Sequence, residues 1–546
     1  MKSLFVHLIA FCVLCLSLSV DAQSVSDLPI HGNMQMDAQY YITDSAIRAP
    51  DVPEQMLFNG FTNFTYEKDN FSAGLRYEAY MNPILGYDRR YEGYGIPFRF
   101  LTYRNKELEV TAGNFYEQFG MGMALRTYNE WGLGYDNSID GFRVKYEPVR
   151  GVTMKGLIGK QRDFWTKGIG IVRGFDAEWN LNEFFNPDTA RKSQWILGGS
   201  YVSKFQKDDD PTYILPQNVA TGGGRLSFAR GGFTAYTEYV FKSGDPSAAN
   251  DFIFKDGQAL YLNLGYTRKG LGITAGTKWL DNMNFRSDRN AIINSLLINY
   301  MPVITKNHTY LLAAYYPYAT QLNGEFGAQA EVFYHWSKDH ALAGPYGTDF
   351  TFNYSRAQSI HKEPITTGVD TALGYTASFF SIGDELFYED FNITIDRKLN
   401  KKTRAILTYM RQAYNKEVIE GRSGFGIIRS HIGVLEVQHR ITPKKSIRTE
   451  AQVLLTQKDF GSWALLLVEY TLAPHWFVAA FDQYNYGNPT ESLQLHYYTF
   501  QGGYTRGSNR VTIGYGRQRA GILCVGGVCR NVPSANGFTL SVTSSF

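Results

Sequence analysis

The chain ends on Asn536-Gly537-Phe538-Thr539-Leu540-Ser541-Val542-Thr543-Ser544-Ser545-Phe546, a stretch that alternates large apolar with small polar residues. Successive side chains of a β-strand point to opposite faces. Phe538, Leu540, Val542 and Phe546 therefore share one face, and Thr539, Ser541 and Thr543 the other. The period recurs upstream. Val511, Ile513 and Tyr515 oppose Thr512, Gly514 and Gly516; Phe71, Ala73, Leu75, Tyr77, Ala79 and Met81 oppose Ser72, Gly74, Arg76 and Glu78. From Ile30 it begins with Gly32, Met34, Met36, Ala38 and Tyr40 on one side. Each clear run is about 9–12 residues, the length a tilted strand needs to cross a bilayer, whereas strands of soluble proteins average about 5–6.

The connections alternate as well. Short ones fall at Glu67–Asn70, Arg104–Glu107, Arg230–Gly232, Thr267–Gly270, Lys398–Lys402, Thr442–Lys445, Ala473–His475 and Arg506–Asn509. Between them lie longer polar segments near 44–55, 82–95, 120–138, 204–222, 242–257, 280–292, 357–385 and 412–429. Short periplasmic turns and long external loops are the pattern of an antiparallel transmembrane β-barrel, here with about 26 strands. The stretches 291–336 and 371–398 are the hardest to divide into strands.

Composition fits this all-β reading. With 38 Tyr, 37 Phe and 8 Trp the chain is rich in aromatics, yet its mean hydropathy is negative, −0.28. A helical membrane protein would be far more hydrophobic, whereas a barrel turns only every second residue to lipid. The net charge of +3 gives no reason to expect a nucleic-acid partner. Residues 1–22 read as a cleaved export signal: Lys2, an apolar run from Leu4 to Val20, and a small-residue site at Val20-Asp21-Ala22. Residues 23–546 then form one barrel in the outer membrane. With strands starting soon after the cleavage site, no separate N-terminal plug domain is expected.

Cys524-Val525-Gly526-Gly527-Val528-Cys529 holds the two cysteines of the mature chain. A two-residue Gly-Gly hairpin places them opposite each other, within disulfide reach, in an oxidising compartment. The segment Glu117-Gln118-Phe119-Gly120-Met121-Gly122-Met123-Ala124-Leu125-Arg126, continuing to Gly134-Tyr135-Asp136-Asn137, mixes glycine, charge and large apolar groups. It is expected to fold partly inward, because Met121, Met123, Leu125 and Trp131 would otherwise stand in water. Arg126 and Asp136 would then meet charges of the lumen wall. Further lumen or selectivity candidates are Arg76, Glu78, Glu109, Arg143, Lys145, Glu147, Glu238, Arg448 and Glu450. Their mixed signs suit cross-strand ion pairs as well as pore selectivity. Lys207-Asp208-Asp209-Asp210-Pro211 reads as a solvated acidic loop. No H-E-x-x-H, G-x-S-x-G or P-loop occurs, so neither an enzyme nor a cofactor or metal is expected.

The final strand resembles the C-terminal targeting strand that barrel-assembly machinery reads, with Phe538, Leu540, Val542 and Phe546 as the signal. Gly113-Asn114-Phe115-Tyr116-Glu117-Gln118-Phe119-Gly120, Gly134-Tyr135-Asp136-Asn137, and the ending from Gly516-Arg517-Gln518-Arg519-Ala520-Gly521 through Cys529-Arg530 look like a family of uncharacterised outer-membrane barrels of Bacteroidota. That resemblance implies fold and compartment and carries no catalytic residue. The expected partners are outer-membrane lipid, the assembly machinery and other outer-membrane proteins. The sequence reads first as a transport pore or channel with a lumen open or closed by loops. The alternative is a non-enzymatic scaffold or accessory component of a secretion or assembly complex.

Overall fold

A computed structural model describes residues 29–185, 193–291, 293, 295–338, 340, 343–525 and 528–546, without the side chains of 369 and 523–530. The export signal read at 1–22 lies outside the described residues. Twenty-four antiparallel strands of 8 to 16 residues form one sheet. Each strand pairs with the next barrel strand in sequence, and Ile30–Tyr41 also pairs with Ala535–Ser545, closing the barrel. Reciprocal backbone bonds between Gly32 and Phe546 finish the seam.

The alternation explains the wall. Phe71, Leu75, Tyr77, Leu101, Phe142, Phe352, Leu435, Leu466, Phe500, Ile513 and Phe538 all point outward and are exposed. Such a continuous apolar belt belongs against lipid. Exposed Tyr66, Phe71, Trp195, Phe233, Tyr266 and Trp476 stand beside the short turns, where a barrel carries an aromatic girdle. At the C-terminus, Phe538 and Phe546 are exposed on this outer face, with Leu540 and Val542 half-buried between them.

The strand count is 24 where the sequence suggests about 26, and the difference lies in residues 282–323. The runs Leu296-Leu297-Ile298 and Leu311-Leu312-Ala313-Ala314-Tyr315-Tyr316 form no barrel strand. They belong to a 42-residue connection between Leu271–Asp281 and Gly324–Trp336 that fills the lumen. The physical reason is in the pattern: consecutive apolar residues, interrupted by Pro302 and Pro317, suit a segment surrounded by protein, not a strand with one face in lipid. Three other connections break the simple alternation, one of them the turn-end connection 181–192 between Thr166–Asn180 and Ser193–Phe205. Phe164-Trp165 is a two-residue turn at the loop end, and 337–347 is a long connection at the turn end.

Candidate functional site

Two connections enter the barrel from the loop end, and they meet. Ile298 donates its N–H to the Phe285 carbonyl, and Arg126 donates to the Ile298 carbonyl at 2.9 Å. Tyr300 donates to the Gly122 carbonyl at 2.9 Å. The segment 116–138 is thus stitched to 282–323. Gly120 and Gly122 have positive φ, and a Cβ on Gly120 would lie 2.5 Å from the Glu238 carboxylate. That carboxylate accepts the Met121 N–H at 2.9 Å.

Apolar burial holds both segments. Phe119, Met123, Leu125, Met283, Phe285 and Ile298 are fully buried against Leu157, Val172, Val202, Val219, Val240 and Leu280 of the wall. Farther along, Leu312, Tyr315, Tyr316 and Tyr318 pack on Met410, Tyr414, Ile432, Leu454 and Trp463. Truncating one fully buried aromatic of this kind costs about 3–5 kcal/mol.

A connection with little regular structure must place its backbone polar groups elsewhere, and here long wall side chains take them. Lys242 Nζ donates to the Asn284 carbonyl at 2.8 Å. Lys278 Nζ donates to the Pro302 carbonyl at 2.7 Å and pairs with Glu325 at 2.9 Å. Gln161 donates to the Leu297 carbonyl, and Gln452 accepts the Leu312 N–H at 3.0 Å. Three side chains of the inner segment reach other strands: Lys306 to Glu331 at 2.8 Å, His308 to Asp390 at 2.6 Å, and Tyr310 to Glu436 at 3.0 Å.

The charges singled out in the sequence fall into several groups. Arg76 and Glu78 pair at 2.6 Å on the lumen face, and Arg76 also bonds Asp136 of the inward segment. Arg162, which the sequence reading missed, completes the square: it meets Glu78 at 2.7 Å and Asp136 at 2.8 Å. All four side chains are at most 5% exposed. Burial by itself would raise the Asp136 carboxyl, but the Arg162 and Arg76 guanidiniums hold it below the ordinary carboxylate value. Tyr116 donates to Asp136 at 3.0 Å, and burial pushes its phenol well up.

Arg143 bonds Glu109 and reaches Glu117 at 3.2 Å, and Lys155 meets Glu117 at 2.7 Å. Arg126 meets no carboxylate among the described residues; its guanidinium lies over Tyr128 and Tyr300, at 4.8 and 4.1 Å. Lys145 and Glu147 pair at 2.8 Å near the turn end, half in solvent. Arg448 bonds Glu450 and lies 3.5 Å from Glu436. Cys524 stands opposite Cys529 in the hairpin Gly521–Val532, but their side chains lie outside the described residues.

The seam sector of the wall differs. Register carries the lumen face from Gln39 to Thr539, Gly514, Gln501 and Ala479, and one row nearer the loop end from Tyr41 to Gly537, Gly516, Thr499 and Phe481. Nearer the turn end come Asp37, Ser541, Thr512 and Gly503. Asn33, Gln501 and Thr539 are exposed although they face inward. Asp37 accepts Trp131 Nε1 at 3.1 Å, marking the edge of the inward segment. Between Leu311 and this wall remains a gap of about 380 Å³.

The connection 359–385 goes the other way. Phe379 packs on the outward rings of Trp279 and Tyr239, and Trp279 Nε1 donates to the Ser381 carbonyl at 2.9 Å. It drapes over the outside of the wall, leaving Phe379, Phe380 and Ile382 exposed.

A closed antiparallel barrel with a lipid-facing belt and a lumen occupied by its own connections defines the class. The chain belongs to the family of unknown function DUF6029, which matches residues 1–546. No curated protein matches it in sequence. Among solved structures it is similar to the P pilus usher (PapC) translocation pore, at 10% identity over 95% of this chain and 99% of that one, TM-score 0.44. It is also similar to the siderophore receptor PirA from Pseudomonas aeruginosa, at 11% identity over 95% and 80% of the two chains, TM-score 0.40. A third is OpdQ from Pseudomonas aeruginosa, at 9% identity over 95% and 96%, TM-score 0.33.

Proposed function

We propose that this protein is an outer-membrane transport barrel of restricted bore, in which small polar solutes pass along the seam sector that the inward segments leave uncovered. The carrying observation is the contrast between a lumen wall buried under the inward segments and a seam wall on which Asn33, Gln501 and Thr539 stay exposed toward the lumen. A water-filled path past Asn33, Gln501 and Thr539 offers neutral hydrogen-bonding groups, with Asp37 the charge named on the same face. Arg76, Glu78, Glu109, Asp136 and Arg143 then act as tethers of the segment 116–138, not as a selectivity ring. Arg448 and Glu450 stand closer to the path.

The lipid belt and the girdle support an outer-membrane location with the long loops outside, and a cleaved export signal at 1–22 is part of this proposal. The sequence resemblance supports a Bacteroidota source. The outward Phe538, Leu540, Val542 and Phe546 suit recognition by barrel-assembly machinery, and no enzymatic role is proposed. Single-channel recording of the folded protein in a planar bilayer tests the reading. A steady conductance well below that of an unobstructed barrel of this size is expected; an electrically silent folded barrel would overturn it. A second reading, a scaffold in a larger outer-membrane complex, is favoured by the exposed Phe379, Phe380 and Ile382, and predicts a stably co-purifying partner lost on replacing these three by Ser.

A further inference from the structure

A cavity of about 550 Å³ lies at the loop end where the two inward segments meet. Arg286 lines it and is 4% exposed. Its guanidinium donates to Asn284 Oδ1 at 2.8 Å, to the Ser295 carbonyl at 2.6 Å and to the Ile293 carbonyl at 2.5 Å. Those acceptors are neutral. Arg286 has five N–H groups, so two are left over, and its charge faces no carboxylate among the described residues. The buried Arg76, Arg162 and Arg225 are all ion-paired. Burial pulls Arg286 down to about 10, which still leaves it cationic at neutral pH.

Two more groups on the same wall lack partners. Asn299 donates to the Met283 carbonyl at 2.8 Å, but its buried Oδ1 accepts nothing, and the Tyr128 hydroxyl is likewise unpartnered. The rings of Tyr128, Tyr135 and Tyr300 supply flat apolar surface. Behind Tyr300 sits Arg126, a second cation with no carboxylate. Lys362 and Arg422 stand at the rim, and the lining carboxylate, Glu420, is already engaged by Lys416 and Arg422.

We propose that this cavity binds a small organic anion with a flat apolar body, its carboxylate on Arg286 and its body between the tyrosine rings. The site is reached from the loop end, where Ile293 is 78% exposed. Binding there does not depend on whether any solute then crosses the barrel.

Titration calorimetry on the folded, detergent-solubilised full chain tests it, with benzoate as probe. Benzamide serves as its neutral isostere, and inorganic phosphate as an anion without a body. Benzoate is expected to bind at least about tenfold more tightly than either, and Arg286→Met to weaken it by at least about tenfold, as loss of a charge-assisted contact implies. Equal binding of benzoate and benzamide would overturn the proposal. So would phosphate binding as tightly as benzoate, or native benzoate affinity in an Arg286→Met variant that keeps heat-modifiable gel migration. If that variant does not fold, the rim pair Lys362→Gln with Arg422→Gln decides. A loss of about threefold for benzoate with benzamide unaltered supports the site, and no loss overturns it.

Discussion

The wall opposite the seam and the wall at the seam are both polar toward the lumen, for different reasons. Opposite the seam, the inward side chains are long and buried: Lys242, Lys278, Glu325, Asp390, Glu436 and Gln452. They end on backbone groups and side chains of 282–323, a connection too irregular to satisfy itself. At the seam most inward residues are short or neutral, namely Gly503, Gly514, Gly516, Gly537, Ser541, Thr539, Gln39 and Gln501, with Asp37, Tyr41 and Phe481 as the exceptions. Of these, Gln501 and Thr539 are exposed toward the lumen, while Asp37 is met by Trp131 of the inward segment. Long donors near a strand's loop end thus mark a wall that grips, and short neutral residues mark a wall that lines a path.

The comparison can be broken most directly by removing what the first wall grips. Replacing residues 287–320 by a short Gly/Ser link is expected to raise single-channel conductance by about tenfold or more, since the lumen of a 24-stranded barrel is wide when unfilled. Unaltered conductance would mean that the inward segments do not limit the bore.

Next in size is Arg162→Ala. It leaves Glu78 and Asp136 short of a partner in a buried site and should cost about 3–5 kcal/mol, read as a lower denaturant midpoint for the lumen tyrosine signal. A change under about 0.5 kcal/mol would mean that the four-residue square does not hold the segment 116–138.

Acid sharpens the same point. Asp136 is held below its ordinary value, so its stabilising contribution is complete above the unfolded pKa of about 3.9 and is lost as pH falls through the lower folded value. Protection of the 116–138 amides from hydrogen exchange should therefore survive at pH 5 and fall as pH drops below the unfolded carboxylate value. Asp136→Asn should show weaker protection at pH 5 and no such acid step; an acid step of full size in that variant would assign the transition to another group.

The smallest expected effect concerns the seam. Gln501→Lys or Thr539→Lys should shift the reversal potential toward anions, and Gln501→Glu toward cations, with stability altered by no more than about 0.5 kcal/mol. No shift in either direction would remove the path from this sector.

Much of the barrel was legible because its code is local. The alternation through Phe71–Met81 and Asn536–Phe546 identifies strand, face and length within one segment, and the short connections at Arg230–Gly232 or Thr442–Lys445 mark the turns without further help. The inward fold of 116–138 was legible too, because Met123 and Leu125 needed cover. The segment 282–323 was not: most of it falls in the stretch hardest to divide into strands, although Leu296-Leu297-Ile298 is apolar at consecutive positions, a sign of burial on all sides. Arg162 escaped notice because its partners, Glu78 and Asp136, lie 84 and 26 residues away. Arg286 carries no motif at all; only its missing counter-ion marks it.

The sequence by itself determined that this chain forms a barrel and which face of each strand meets lipid, because a two-residue period is set between neighbours along the chain. Only the tertiary structure decided which lumen charges hold the inward segments, which wall stays uncovered, and where a buried cation is left unpaired. Those outcomes depend on groups that come together only once closing the sheet has created an inside.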